Sequence, residues 1–189
     1  GSAVSQTAYI SHHTAMEYYG VCDQVYYDVY VSSETPFKEF EFDGYTYCYV
    51  ASKCKLGIEN VHYSGGVRIT DKERTTLDSI KDMDKISGIE EVLANIDGFT
   101  SLNEEKLTGY LQEYHNQFLY QKTGFILYPY RDKLGLSHSF FEMCQSKTGK
   151  SKRYLTKEFT NGTYIKEWKL VVPDEIYKLK NGAFQDDRI

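Results

Sequence analysis

The stretch Val67-Arg68-Ile69-Thr70-Asp71-Lys72-Glu73-Arg74-Thr75-Thr76-Leu77-Asp78 marks a change of period in the chain. Ahead of it, apolar and aromatic residues tend to alternate with polar ones, as in a strand; behind it they recur at three and four, as in a helix. Thr70-Asp71-Lys72-Glu73 has the form of a capping box, with Thr70 as the cap and the Glu73 side chain reaching back to it. Leu77, Ile80 and Lys81 continue at helical spacing. Arg74 and Asp78 stand four apart on that helix and can meet as a charged pair through the planar guanidinium fork. The pair is read first as a brace. The functional alternative is that it holds the helix against the preceding strand pair and presents the loop Ser64 to Gly66 to a partner.

Toward the N-terminus the pattern is mostly sheet. Ser11 caps a short helix that runs to a stop at Gly20. Val25 to Val31 is rich in β-branched and aromatic residues and predicts a strand, with turn chemistry from Ser32 to Pro36. Phe37, Phe40 and Phe42 lead into Asp43-Gly44, and Tyr45 to Val50 returns, the signature of a hairpin. Ile58 to Tyr63 and Val67 to Thr70 flank Ser64-Gly65-Gly66 as a second pair of extended runs.

Toward the C-terminus helices dominate. Ile89, Val92, Leu93 and Ile96 mark one; Leu107, Tyr110, Leu111 and Tyr114, behind an Asn103 cap, another. Phe118, Leu119, Phe125 and Ile126 mark the next, and Ser137 caps a last one through Phe140, Phe141 and Cys144. Extended pieces return at Arg153 to Leu155 and Tyr164 to Val172, before Pro173 and a helix over Asp174 to Lys180. This order predicts an α+β fold: an N-terminal antiparallel or mixed sheet with hairpins, a helical layer, and a late strand returning to the sheet. Gly1-Ser2 is read as the scar of a cleaved tag within an extension over residues 1–8. Residues 9–189 are read as one domain, or as a sheet-rich lobe 9–70 beside a helix-rich lobe 71–189.

With 189 residues, 41% hydrophobic and 26% charged, the chain has an ordinary globular composition, and its 18 Tyr and 10 Phe suit amphipathic strands and helices. No apolar run is long enough to span a membrane, and the expected location is the cytoplasm. Cys22, Cys48, Cys54 and Cys144 lack the close spacing of a zinc knuckle, so reduced thiols are expected, with Cys48, Cys54 and His62 around a metal as the alternative. His12 and His13 point about 100° apart on a helix, while His13 and Glu17, four apart, suit a surface pair.

The net charge of -5 is unevenly spread. From Gln121 to Leu170, ten Lys and Arg face four Asp and Glu, a net +6 that leaves -11 for the remainder. Within it, Ser146-Lys147-Thr148-Gly149-Lys150-Ser151-Lys152-Arg153-Tyr154 joins small residues, four cations and an aromatic. Such a loop suits phosphate, with Lys147, Lys150, Lys152 and Arg153 neutralising a nucleic-acid backbone and hydroxyls adding hydrogen bonds. A solvated basic face is the alternative. Thr148-Gly149-Lys150-Ser151 looks like the end of a phosphate loop but lacks its upstream glycine, where Cys144 stands. No serine-nucleophile elbow, zinc-protease helix or calcium loop is present.

Several phrases resemble the AbiEi antitoxin family. They are Tyr9 to Gly20, Val29-Tyr30-Val31-Ser32-Ser33, Val67 to Asp78, Gly88-Ile89-Glu90-Glu91-Val92-Leu93, Leu119-Tyr120-Gln121-Lys122-Thr123-Gly124 and Gly149-Lys150-Ser151-Lys152-Arg153-Tyr154. The likeness lies in their order and spacing and runs from about Tyr9 to Pro173. In that family a winged helix-turn-helix usually precedes this region and represses the antitoxin-toxin operon, while the C-terminal domain carries antitoxin activity. The resemblance therefore implies the effector half, without its DNA-binding head, of a transcriptional regulator from a bacterial type IV toxin-antitoxin system serving abortive infection and phage defence. It implies two partners: operator DNA through the full-length protein, and a nucleotidyltransferase-like toxin whose direct binding stays open. It brings no catalytic residues, cofactor or metal, so the positions carried over are the scaffold residues Arg74 and Asp78 and the loop cations Lys150, Lys152 and Arg153. Two other classes remain beside it. One is an enzyme acting on the toxin or on nucleic acid, with Glu73, Asp78 and Lys150 in one cleft. The other is a protein-interaction module built on the Tyr-rich strands.

Overall fold

The computed structural model describes residues 5–22, 24–62, 64–86, 88–157 and 162–179. Gly1-Ser2, read above as a tag scar, and the predicted element ends at Tyr63 and Lys180 lie outside the described residues. The fold is α+β, with an N-terminal sheet, then helices, then late strands.

Strands β1 (Tyr9–Ile10), β2 (Asp28–Ser33), β3 (Phe40–Phe42), β4 (Tyr45–Ala51), β5 (Ile58–Asn60) and β6 (Arg68–Thr70) form one sheet in the order β3-β4-β2-β1-β6-β5. The sheet is mixed: β1 runs parallel to β6 and β2 parallel to β4, while the remaining pairs are antiparallel. The Asp43-Gly44 hairpin forms as its sequence predicts, with both residues at positive φ (52° and 79°), the sense that matches strand twist. Strand β2 starts at Asp28, not Val25, and continues through Ser32 and Ser33, which the sequence assigns to a turn. Those two serines enter the sheet because their hydroxyls are satisfied there, Ser32 by Ser11 at 2.7 Å and Ser33 by Ser5 at 2.8 Å.

Helix α1 (His12–Tyr18) follows β1, and α2 (Lys72–Asp82) leaves β6. Helices α3 (Gly88–Gly98), α4 (Glu104–Tyr114) and α5 (Gln117–Leu127) come next, and all three pack against α2, as does α1. The core joins Leu77 and Ile80 to Val92, Leu93 and Ile96, to Leu107 and Leu111, and to Leu119 and Ile126. These positions recur at three and four, so each helix turns one apolar stripe toward α2. Asn103 caps α4 and Asn116 caps α5, each side chain accepting backbone N–H groups of the first turn. After the short helix α6 (Arg131–Leu134), Ser137 caps α7 (His138–Ser146).

The capping box at Thr70 does not form. Asp71 is the cap of α2, its Oδ1 accepting from Arg74 N at 2.8 Å, and Thr70 is the last residue of β6. The Glu73 carboxylate, instead of reaching back, accepts from Asn103 N at 2.7 Å. A carboxylate is the stronger acceptor at the positive end of a helix, and the backbone of Thr70 belongs to the sheet.

The late strand does not return to the first sheet. Strands β7 (Arg153–Tyr154), β8 (Thr163–Ile165) and β9 (Leu170–Val172) form their own sheet in the order β7-β9-β8. The predicted run Tyr164 to Val172 is a hairpin, turned by Lys169 at φ 51°. Its apolar residues Leu170 and Val172 find cover in the helical core, so nothing drives them on to the first sheet. Trp168 lies directly against Gly124 of α5, where an added Cβ would come 2.1 Å from its ring, and Gln121 Nε2 donates to Trp168 O at 3.1 Å. Gly124→Ala should therefore cost about 1–3 kcal/mol through overpacking. Urea unfolding measures that loss, and the fluorescence of Trp168, the single tryptophan of the chain, should shift to the red as the late sheet lifts from α5.

Candidate functional site

The charged residues of α2 face inward. Arg74 is 2% exposed, its Nε donating to both Asp78 carboxylate oxygens at 3.1 Å. Its Nη1 donates to the carbonyls of Cys54 and Leu56, both at 2.8 Å, and its Nη2 to Tyr9 Oη at 3.2 Å. Tyr114 Oη donates to Asp78, and the Tyr114 ring lies 5.1 Å from the guanidinium carbon. Gly57 closes the group: it sits at φ 69°, and a Cβ there would stand 2.8 Å from both Arg74 Cβ and the Tyr110 ring. Only glycine lets the chain lie this flat on Arg74. Burial works against the charge of Arg74, yet the Asp78 carboxylate beside it holds its pKa above the ordinary arginine value. Burial, with Asp78 alongside, pushes the Tyr114 phenol up.

A second group sits at the start of α2. Asp71 Oδ2 accepts from Tyr110 Oη at 2.6 Å and from Lys106 Nζ at 2.9 Å, while Thr70 and Thr75 share a hydroxyl contact of 2.7 Å. Thr70, Glu73, Arg74 and Asp78 are thus all buried and bonded within the fold. Glu73, Asp78 and Lys150 do not line one cleft: the two carboxylates are sealed in the core, whereas Lys150 stands exposed beyond α7.

His12 and His13 also differ from their sequence reading. Both are buried, and His13 does not pair with Glu17: its Nε2 bonds Asp28 O at 2.9 Å, and its ring stacks on Tyr26 at 4.1 Å. His12 joins Ser11 Oγ at 2.8 Å to Asp82 Oδ2 at 3.3 Å. Burial alone would raise Asp82, but His12 and Lys81 hold it well below the usual carboxylate range. The cysteines carry no disulfide; burial pushes Cys48 up to about 11 and Cys144 up to about 12, so neither is a thiolate at neutral pH. Among the described residues no group of three metal-ligating side chains stands together.

The basic stretch divides on folding. Lys122 is buried and pairs with Asp84 at 3.4 Å; burial pulls its pKa down against the pull of Asp84. Lys169 ties the loop after α7 to the late sheet, donating to Thr148 Oγ1 at 3.2 Å and to Gly149 O at 3.1 Å. The hydroxyls of Ser146 and Thr148 donate to the last carbonyls of α7 and so are not offered to phosphate. Lys147, Lys150, Lys152 and Arg153 are exposed. Across residues 146–157 the chain carries five cations and no acid of its own, and the Asp84 carboxylate meets its far end, accepting from Lys157 N at 2.9 Å.

Strand register orders what surrounds these cations. Tyr154 and Tyr164 both pair with Val171, one on either side, so their rings share one face. They are 47% and 46% exposed, and Lys152 Nζ lies 5.8 and 5.7 Å from the two rings. Arg153 points to the opposite face, its guanidinium carbon 5.5 Å from the Phe118 ring. Between the α4–α5 turn and the loop after α7 opens a cleft of about 470 Å³, lined by Gln112, His115, Asn116, Gln117, Tyr120 and Lys147 among others. His115 takes a left-handed conformation (φ 48°), which lets α5 start almost at once after α4 and gathers three amides in one turn. The sequence signals the cations but neither the ring pair nor the cleft, since both arise from strand register and helix packing.

Arg74→Ala should cost about 3–5 kcal/mol, because it strands a buried carboxylate. Arg74→Met with Asp78→Leu should cost less than Arg74→Ala alone; urea unfolding of the three proteins checks the order.

Among the described residues no helix is long and apolar enough to cross a membrane. No protein-family model matches the chain, and no curated protein matches it either.

Proposed function

We propose that the chain is the antitoxin and regulatory effector domain of a bacterial, cytoplasmic type IV toxin-antitoxin system. In this reading it counters a nucleotidyltransferase-like toxin and assists operon repression by a winged helix-turn-helix head, in abortive infection and phage defence. The ordered phrases from Tyr9 to Tyr154 support the family assignment. The observation that carries the nucleic-acid role is the exposed set Lys147, Lys150, Lys152 and Arg153, set on a loop that Lys169 and the β7–β9 pairing hold in place. Such cations grip phosphate without reading sequence, so they would add a second contact to the head's reading of operator bases. The test is the triple variant Lys150→Ala, Lys152→Ala, Arg153→Ala in the protein carrying its head. Affinity for its own promoter DNA should fall, and the slope of log affinity on log salt should drop by about 0.9 for each phosphate contact removed. Unchanged affinity and slope would remove the backbone-contact role.

A second reading, a protein-interaction module, is favoured by one observation. The edge strand β3 and its neighbours expose Phe42 at 67% and Tyr27 at 68%, with Tyr45 beside Tyr27. Exposed aromatics on an open edge suit a protein partner. If this edge holds the toxin, the wild-type protein should co-purify with the neighbouring nucleotidyltransferase-like protein and Phe42→Lys should not. Failure of the wild type to capture it sinks this reading.

A further inference from the structure

The cleft between the α4–α5 turn and the loop after α7 is not accounted for by duplex backbone contact, and neither is the ring pair on the late sheet. Each adjoins a cation of the same basic stretch. Lys147 lines the cleft, and a Cβ at Gly149 would come 2.9 Å from Gln117 Oε1, so the loop rests on the turn that builds the cleft. A few residues on, Lys152 Nζ lies 5.8 and 5.7 Å from the Tyr154 and Tyr164 rings. From Thr148 to Lys152 the backbone can span at most about 14 Å, a separation that a strand of a few nucleotides covers.

We propose that this surface is a binding site for single-stranded nucleic acid. Unpaired bases stack on Tyr154 and Tyr164, their phosphates meet Lys147, Lys150 and Lys152, and one base enters the cleft. The proposal rests on the reading that the basic loop contacts nucleic acid, and it names the form of that ligand. Three observations separate a single strand from a duplex. The two rings lie half-exposed on one sheet face, where every base can offer a π-surface but paired bases cannot reach. One cation, Lys152, stands beside both rings and neutralises the phosphate that accompanies a stacked base. The cleft offers amides, the groups that match base edges in donors and acceptors: Gln112 and Gln117 are exposed residues, Gln117 with its Oε1 turned to Gly149, and Asn116, its oxygen used in capping α5, keeps its NH₂.

The test compares ten-residue single strands of DNA and RNA of one sequence with the DNA duplex of that sequence, by fluorescence anisotropy on the full chain. Tyr154→Ala and Tyr164→Ala should each weaken single-strand binding about tenfold and leave duplex binding within about twofold. Tyr154→Phe, which keeps the ring, should bind as the wild type does. Gln112→Ala with Gln117→Ala should abolish differences in affinity among homopolymers while the rings still bind. Tighter binding of RNA assigns the ligand to RNA, and equal binding to single strands of either sugar. The proposal is overturned if the tyrosine variants affect strand and duplex alike, or neither. If Lys150→Ala, Lys152→Ala, Arg153→Ala still weakens both ligands in that case, the backbone reading stands without it; if no nucleic acid binds the wild type, both readings fall. Trp168 emission confirms that each variant is folded.

Discussion

A guanidinium buried from water has to be met on all sides by acceptors, and Arg74 is met by four separate parts of the chain. Asp78 lies on its own helix, Tyr9 on β1, and the carbonyls of Cys54 and Leu56 on the segment before β5; Tyr114, from α4, completes the partner carboxylate. Any one of these left out would strand a charge or a carbonyl in the core. The sheet, the Cys54-Lys55-Leu56 segment and helices α2 and α4 are therefore committed together. An ion pair of this kind does not of itself add much stability, because desolvating both partners offsets most of the attraction. Its effect is registry: α2 can neither rotate nor slide without breaking bonds to β1 and to Cys54-Lys55-Leu56.

The same constraint explains why a helix of polar sequence occupies the centre of the molecule. From Glu73 to Ile80 every residue of α2 is buried, and Glu73, Arg74, Thr75, Thr76 and Asp78 bond to neighbouring elements or to the helix backbone itself. Glu73 holds the N-terminal end of α4 through Asn103, and Thr75 holds the end of β6 through Thr70. The periphery is built otherwise. The late sheet is fastened by close packing, Trp168 on Gly124, and leaves Tyr154 and Tyr164 of its outer strands half-exposed. Rigid strands thus carry the exposed Tyr154, Tyr164 and Lys152, so side chains that would be mobile on a free loop are positioned.

Much of the fold can be read along the chain. The Asp43-Gly44 hairpin, the caps at Asn103 and Ser137, and the apolar spacing of Leu107, Tyr110 and Leu111 all depend on neighbours within a few residues, and these readings agree with the structure. Where a residue has a choice of distant partners, the reading departs. Glu73 has the right spacing to reach back to Thr70 but bonds the next helix; His13 has the right spacing for Glu17 but is buried against Tyr26 and Asp28. Tyr164 to Val172 reads as one strand because its residues are β-formers, and only Lys169 in a left-handed conformation folds it into a hairpin.

The sequence by itself determined the α+β class, the helix positions and the concentration of cations after α7, because period, capping and charge are local properties. Tertiary structure decided which of those cations face solvent. Lys122 and Lys169 sit in the same basic stretch as Lys150 and Lys152, yet one is buried on Asp84 and the other binds the loop backbone. It also decided that Tyr154 and Tyr164, ten residues apart in the chain, flank Val171 on one face, and that Gln112 of α4 lines one cleft with Asn116, Gln117 and Lys147. The physical reason is range: a side chain's propensity acts within a turn or a strand, whereas burial, ion pairing and shared faces depend on which surfaces the packed core brings together.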